Sequence, residues 1–161
     1  MKVGVAVADL FAGQNAVIAI LAALQVRNVT GEGQHLDISL FDSQLGWLAN
    51  VAGNFLISGK NPKRYGNAHA NIVPYQSFQA RDGWLVAAVG NDRQFDSFCK
   101  VIDKPKLSTD ERFSTNSARV HNREALISIL KPIFTEKTVD EWLTLIGGQF
   151  PCGRINDFGQ V

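Results

Sequence analysis

YQSFQARDGWLVAAVGND, residues 75–92, is the stretch that decides the fold. Tyr75 to Ala80 and Trp84 to Val89 read as strands on either side of Arg81-Asp82-Gly83, and Asp-Gly between two such runs is a strong hairpin signal. Asn91-Asp92 then caps a helix reaching about Ile102. Beyond it, Pro105 to Asn116 is a loop with room for a helical turn. Arg119 to Phe134 is an amphipathic helix, interrupted or kinked near Pro132. Thr138 to Ile146 is another helix, with Thr138 as cap and Glu141 three residues later as a capping box. Pro151 to Ile155 reads as extended, and Asn156-Asp157 as the opening of a further helix.

Towards the N-terminus the character changes. Gly59 to Arg64 is a polar loop containing Pro62 and is the natural domain boundary. Before it, Asp42 and Ser43 start a helix from about Ser43 to Ile57 that is apolar over most of its circumference. His35 to Leu40 alternates and reads as a short strand, preceded by a turn over Thr30 to Gln34. Leu10 to about Arg27 is a helix, with Val17, Ile20, Leu21 and Leu24 spaced at three and four and Asp9 as its N-cap. Val3 to Val7 reads as a buried strand end or an apolar lead-in. Two such apolar helices and two strands are too little to cover one another. Either the halves pack heavily together, or a partner covers the rest, or the chain belongs to something longer. The ending at Gly159-Gln160-Val161 fits the last option.

Composition narrows the function classes. At 161 residues the chain suffices for one ordinary domain or two small ones. With 16 Lys and Arg against 15 Asp and Glu it has no surplus of positive charge for phosphates, which argues against nucleic acid as a partner. The apolar run Val3 to Leu24 contains Asp9, Gln14 and Asn15, which a membrane span tolerates poorly, and Met1-Lys2 is too thin a charged start for a signal peptide. Cys99 and Cys152 form no CxxC pair and read as reduced thiols. The expectation is a soluble, cytoplasmic protein without a membrane partner.

Generic motifs are absent. The sequence has neither GxGxxG nor GxxxxGK[ST], no GxSxG elbow, and no metal-ligand spacing among His35, His69, His121 and the cysteines, so no metal site is expected. Cys99 lies on an apolar helix face and reads as core. Trp47, Trp84 and Trp142 fit core or interface positions, and Arg64, Arg93 and Arg154 could each hold a carboxylate or simply be solvated.

Three places can carry chemistry. Asp9 is a carboxylate within VAVADLFAG. It is either a plain N-cap or a nucleophile or base, since burial would disfavour its charged form, a helix N-terminus would favour it, and a poorly hydrated carboxylate can attack an activated acyl group. Gly66-Asn67-Ala68-His69-Ala70-Asn71 sets two amides and an imidazole among small residues just before a strand. It is either a structural turn or a mobile lid that meets a substrate. Gly90-Asn91-Asp92-Arg93-Gln94-Phe95 is a helix start that needs no function but can have one. Asp9 is the catalytic candidate; Gly66, Asn67, His69, Asn71, Asn91 and Asp92 are substrate-binding candidates.

The segments KVGVAVADLFAG, ILAALQVRNVTGEGQHLDISLFDS, GNAHANIVPYQSF, DGWLVAAVGNDRQF, FSTNSARVHNREAL and PCGRIN together resemble family III CoA-transferases, the CaiB/BaiF group, and within it the members acting like succinate–hydroxymethylglutarate CoA-transferase. The resemblance implies an α/β fold of which this chain is a central fragment. Residues 1–60 would be part of a Rossmann-like large domain carrying the catalytic aspartate, 61–74 a linker or lid loop, and 75–161 a small α+β domain. It implies a longer, interlocked homodimer with no permanently bound cofactor, using a coenzyme A thioester as substrate and a small carboxylate as acceptor. Asp9 falls on the family's catalytic aspartate, which relays CoA through covalent aspartyl intermediates. GNAHANI stands where formyl-CoA transferase has a glycine-rich lid, which implies a different acceptor. The related α-methylacyl-CoA racemases are the alternative, with Asp92 falling about where they carry a glutamate. An inactive isolated piece or interaction module is the non-enzymatic one.

Overall fold

A computed structural model describes residues 4–161. They form two compact units, one ending at Lys63 and one beginning at Arg64.

The first unit is helical. Helix α1 (Val7–Thr30) is followed by α2 (Leu40–Gly46) and α3 (Ala49–Ser58). The small residues of α1 explain how α2 approaches it. Ala12 is buried, and Phe11, Asn15, Ala16, Ala19 and Ala23 form a half-buried stripe along one face. Asn15 Nδ2 donates to Ser43 Oγ of α2 at 3.0 Å, and Phe11 meets Trp47 with ring centroids 4.9 Å apart. The large residues of the three-and-four spacing, Val17, Ile20, Leu21 and Leu24, stay exposed. By length and composition alone α1 would suffice to cross a membrane, although it contains Asp9, Gln14 and Asn15.

Several sequence expectations change here. Val3 lies outside the described residues; of the two readings of Val3–Val7, a strand end or an apolar lead-in, the rest fits the lead-in, since Val7 N–H donates to Val5 O at 2.9 Å and α1 has already begun at Val7. Ala6, not Asp9, is the N-cap: its carbonyl accepts from Leu10 N–H at 3.1 Å, and no side chain caps the end. The helix also runs a turn past Arg27, because Gly31 adopts the left-handed φ of 77° and its N–H closes on Arg27 O at 2.8 Å. The expected strand His35–Leu40 does not form; alternation supplies a strand's face but not its partner, and Ser39 instead caps α2 by accepting from Asp42 N–H. The single helix expected over Ser43–Ile57 is two, separated where Ala49 takes φ 45°.

The second unit is a three-stranded antiparallel sheet under helices. Strands β1 (Tyr75–Gln79), β2 (Trp84–Ala88) and β3 (Cys152–Arg154) lie in that spatial order. The hairpin pairs Tyr75 with Ala88 and Gln79 with Trp84. Gly83 does not need a left-handed φ here. Asp82 does another job: its Oδ1 accepts from Val139 N–H at 2.8 Å and ties the hairpin to the start of α7 (Val139–Ile146). Helix α4 (Asp92–Val101) follows the hairpin, then a single 3₁₀ turn at Pro105–Ser108.

The expected helix Arg119–Phe134 is broken at Asn122, not near Pro132. Helix α5 (Asn116–His121) ends where the Asn122 amide turns back to Ala118 O and Arg112 O, and α6 (Arg123–Phe134) runs through Pro132. Near a C-terminus, a proline forfeits a single helical hydrogen bond. The expected opening of a helix at Asn156-Asp157 is a turn in which Asp157 Oδ1 accepts from Gly159 and Gln160 N–H.

The core is aromatic. Phe78 of β1 stacks on Phe134 of α6 at 4.1 Å, Phe98 of α4 and Trp142 of α7 flank Phe134, and Trp142 Nε1 donates to Phe134 O at 2.8 Å. On α7 the capping box forms in full: Glu141 N–H donates to Thr138 Oγ1, and Thr138 N–H donates to Glu141 Oε2 at 2.7 Å. That backbone N–H holds the Glu141 carboxyl below the usual glutamate range, with the Thr138 hydroxyl helping. Because the folded pKa is the lower one, the stabilisation is present above the unfolded value and fades as pH falls through the folded one. Thr138→Ala is expected to cost about 1 kcal/mol in urea unfolding at neutral pH. A loss within error of zero would show the box to be idle.

Candidate functional site

In the first unit, Asp9 is the third residue of α1. It sits in the first turn, where unpaired backbone N–H groups and the helix dipole favour an anion. Its side chain is exposed, as is Leu10 beside it. The poorly hydrated setting expected from VAVADLFAG is therefore not built around Asp9 by this chain's own described residues; of its apolar neighbours, Ala12 is buried and Phe11 packs on Trp47, while Val5 and Leu10 are exposed.

In the second unit, the two candidate stretches come together. Val89 N–H donates to Pro74 O at 2.9 Å, so the end of β2 lies against the entry to β1. Gly66, with φ 63°, turns the chain into the loop. Asn67 Oδ1 accepts from Ser77 N–H at 3.2 Å and pins the loop to β1. His69 N–H donates to Tyr75 O at 2.8 Å, and the His69 ring lies parallel on the Tyr75 ring at 5.2 Å. His69 Nδ1 accepts from Asn71 N–H at 3.1 Å, so a neutral His69 carries its proton on Nε2. Asn71 O in turn accepts from Asn116 Nδ2 at 2.8 Å.

Asn91 and Asp92 are used structurally. Asn91 Oδ1 accepts from Gln94 N–H at 2.9 Å and caps α4, while Gln94 Oε1 accepts from Gly90 N–H at 2.7 Å in return. Asp92 Oδ1 accepts from Arg119 Nη2 at 2.9 Å.

Arg119 is the residue that sequence reasoning missed. It is wholly buried, yet every polar branch is used: Nε donates to Val73 O at 2.7 Å, Nη1 to Phe113 O at 2.9 Å, and Nη2 to Asp92. Its guanidinium lies 4.3 Å from the centre of the Phe95 ring. Burial pulls its pKa below the ordinary arginine value and Asp92 opposes the fall; a guanidinium stays charged in either case. Arg123, one turn on, donates from Nη2 to His69 O at 2.8 Å and Ala70 O at 2.9 Å and covers the Tyr65 ring. Local sequence carries no signal for this arrangement, since Asn116 and Arg119 lie on α5 and Arg123 on α6, across the break at Asn122.

Other candidates lie apart. Cys99 is buried, and that burial pushes its thiol up to about 12, which makes it unreactive. Arg154 pairs with Asp140 on the surface. Trp142 is core, while Trp47 and Trp84 are part exposed.

The family model for CoA-transferase family III matches residues 1–161. The chain belongs to that family. Relatives of this family III chain include a succinate–glutarate CoA-transferase of Agrobacterium fabrum, 48% identical across all of this chain and 40% of that protein. Another is the succinyl-CoA:glutarate CoA-transferase of Homo sapiens, 43% identical across all of this chain and 37% of that protein. Among solved structures, a CaiB/BaiF family protein from Brucella suis is similar over the whole chain with a TM-score of 0.75 and 48% identity, covering 43% of that chain. The fold is accordingly a fragment of the family III fold, and the chain spans about two fifths of the length of these relatives.

Proposed function

We propose that the whole protein containing this chain moves CoA from an acyl-CoA donor to a small dicarboxylate, with Asp9 as covalent relay. The observation that carries this reading is the 43–48% identity, over the full chain, to enzymes named for transfer between succinate and glutarate. Asp9 is the carboxylate that the family resemblance assigns, and it lies exposed in the first turn of α1.

The chemistry balances in four steps. An Asp9 oxygen attacks the donor thioester carbonyl, the C–S bond breaks, and CoA thiolate leaves behind an aspartyl–acyl anhydride. The thiolate attacks the Asp9 carbonyl and expels the donor carboxylate, giving an aspartyl-CoA thioester. The acceptor carboxylate attacks that carbonyl and expels the thiolate, giving a second anhydride. The thiolate then attacks the acceptor's carbonyl, releasing the new acyl-CoA and restoring the Asp9 carboxylate. The first and third steps climb from a thioester to a more reactive anhydride and the second and fourth return to a thioester, so the covalent relay divides one hard exchange into easier ones.

Gly66, Asn67, His69 and Asn71 are proposed to line the acceptor side, with Asn91 and Asp92 supporting them. The remainder of the longer chain and a second copy are proposed to cover the exposed large residues of α1. In the racemase alternative the matching aspartate is a proton-transfer base and Asp92 falls about where those enzymes carry a glutamate; here the Asp92 carboxylate pairs with Arg119.

The test uses the full-length protein. Incubation with succinyl-CoA, trapping with hydroxylamine and peptide mapping by mass spectrometry is expected to find a hydroxamate on the Asp9 peptide. An unmodified Asp9 in protein shown to bind CoA would overturn the covalent relay and favour racemisation.

A further inference from the structure

We propose that Asn116, Arg119 and Arg123 are positioning residues that clasp the backbone from His69 to Val73, making the Gly66–Asn71 loop a fixed, uncharged template for the acceptor carboxylate. The inference rests on the reading above that this loop faces the acceptor. Of the five carbonyls from 69 to 73, four are held by side chains of α5 and the first residue of α6: His69 and Ala70 by Arg123, Asn71 by Asn116, and Val73 by Arg119. Asn116 Oδ1 also accepts from Val73 N–H at 3.2 Å. Three of these five bonds come from guanidinium groups and are charge-assisted. A swinging lid that carried this segment with it would have to break them together and leave Nε of the wholly buried Arg119 without its acceptor, Val73 O.

The clasp has a chemical consequence. Arg119 spends Nε, Nη1 and Nη2 on Val73 O, Phe113 O and Asp92, and Arg123 Nη2 serves His69 O and Ala70 O, so these groups act on the protein's own backbone and Asp92. The loop instead offers neutral donors. With Nδ1 occupied by Asn71 N–H, the hydrogen-bonding atom left to the His69 ring is Nε2; with Oδ1 on Ser77 N–H, Asn67 is left with its Nδ2 amide. Among the described residues no hydrogen bond engages either atom. Tyr75 beneath the His69 ring fixes its plane. Two oriented N–H donors suit carboxylate oxygens and hold a substrate that must stay nucleophilic less tightly than an ion pair would.

The experiment compares Arg123→Ala and Arg123→Lys in the full-length enzyme. Arg123→Ala is expected to raise KM for the acceptor carboxylate at least tenfold, with KM for succinyl-CoA and the yield of Asp9 hydroxamate within twofold of wild type. Arg123→Lys is expected to recover part of the loss, because a single nitrogen, Nη2, serves both carbonyls and one ammonium can replace it. Amide hydrogen exchange over residues 69–75 reads the clasp without turnover, and Arg123→Ala is expected to accelerate it at least tenfold. Unchanged exchange, or equal rises in both KM values in folded protein, would overturn the proposal. Absence of the Asp9 hydroxamate in wild type, with exchange responding as expected, would instead sink the transferase reading and leave the clasp standing.

Discussion

Asp9→Asn in the full-length protein is expected to end CoA transfer, lowering turnover by about 10⁴-fold or more, the scale on which enzymes lose a covalent nucleophile. Asparagine keeps the size and the hydrogen-bonding outline of the side chain but lacks the anionic oxygen that must attack the thioester. The fold should scarcely notice. Asp9 is exposed, Ala6 rather than Asp9 is the N-cap, and no side chain caps the end of α1, so what is lost is only a favourable charge in the first turn. Asp9→Ala guards against slow deamidation of the new asparagine back to aspartate; both variants should be inactive with a melting temperature near wild type. Turnover retained in Asp9→Ala would remove Asp9 from the mechanism.

The features legible in the sequence are those specified within a few residues. The hairpin at Asp82-Gly83, the Asn91 cap and the Thr138–Glu141 box each depend on contacts three or four positions apart, and each is present. The family was legible for a different reason, because segments spread along the whole chain carry it. What failed depended on partners. The alternating residues of His35–Leu40 make a strand only if another strand lies alongside, and none does among the described residues. The break between α2 and α3 has no glycine or proline to mark it; Ala49 takes a positive φ instead. Asp9 was legible as a residue of interest but not as a helix position, since the apolar run gives no sign that the helix starts two residues before it. Arg119 was invisible for the plainest reason: a lone arginine in a polar helix is ordinarily solvated, and only the fold shows it enclosed between Phe95, Val73 and Phe113.

That enclosure makes Arg119 a consequential stability position in the second unit. Arg119→Ala is expected to destabilise the protein by about 3–5 kcal/mol, on the scale of leaving two buried carbonyls without donors and opening a core cavity. Two losses combine: Val73 O and Phe113 O lose charge-assisted donors, and the space against Phe95 empties. Arg119→Met separates them, because methionine refills much of the volume but donates nothing. If hydrogen bonding dominates, as the three short bonds argue, Met should recover less than half of the alanine loss; recovery of most of it would make Arg119 a packing residue. Asp92→Asn should cost far less than either, since its carboxylate is 55% exposed and water replaces the guanidinium there, whereas nothing replaces it at Val73 O and Phe113 O. Urea unfolding midpoints of the full-length variants check the order. Alanine and asparagine variants of equal stability would mean that the ion pair, not the buried carbonyl bonds, holds Arg119 in place.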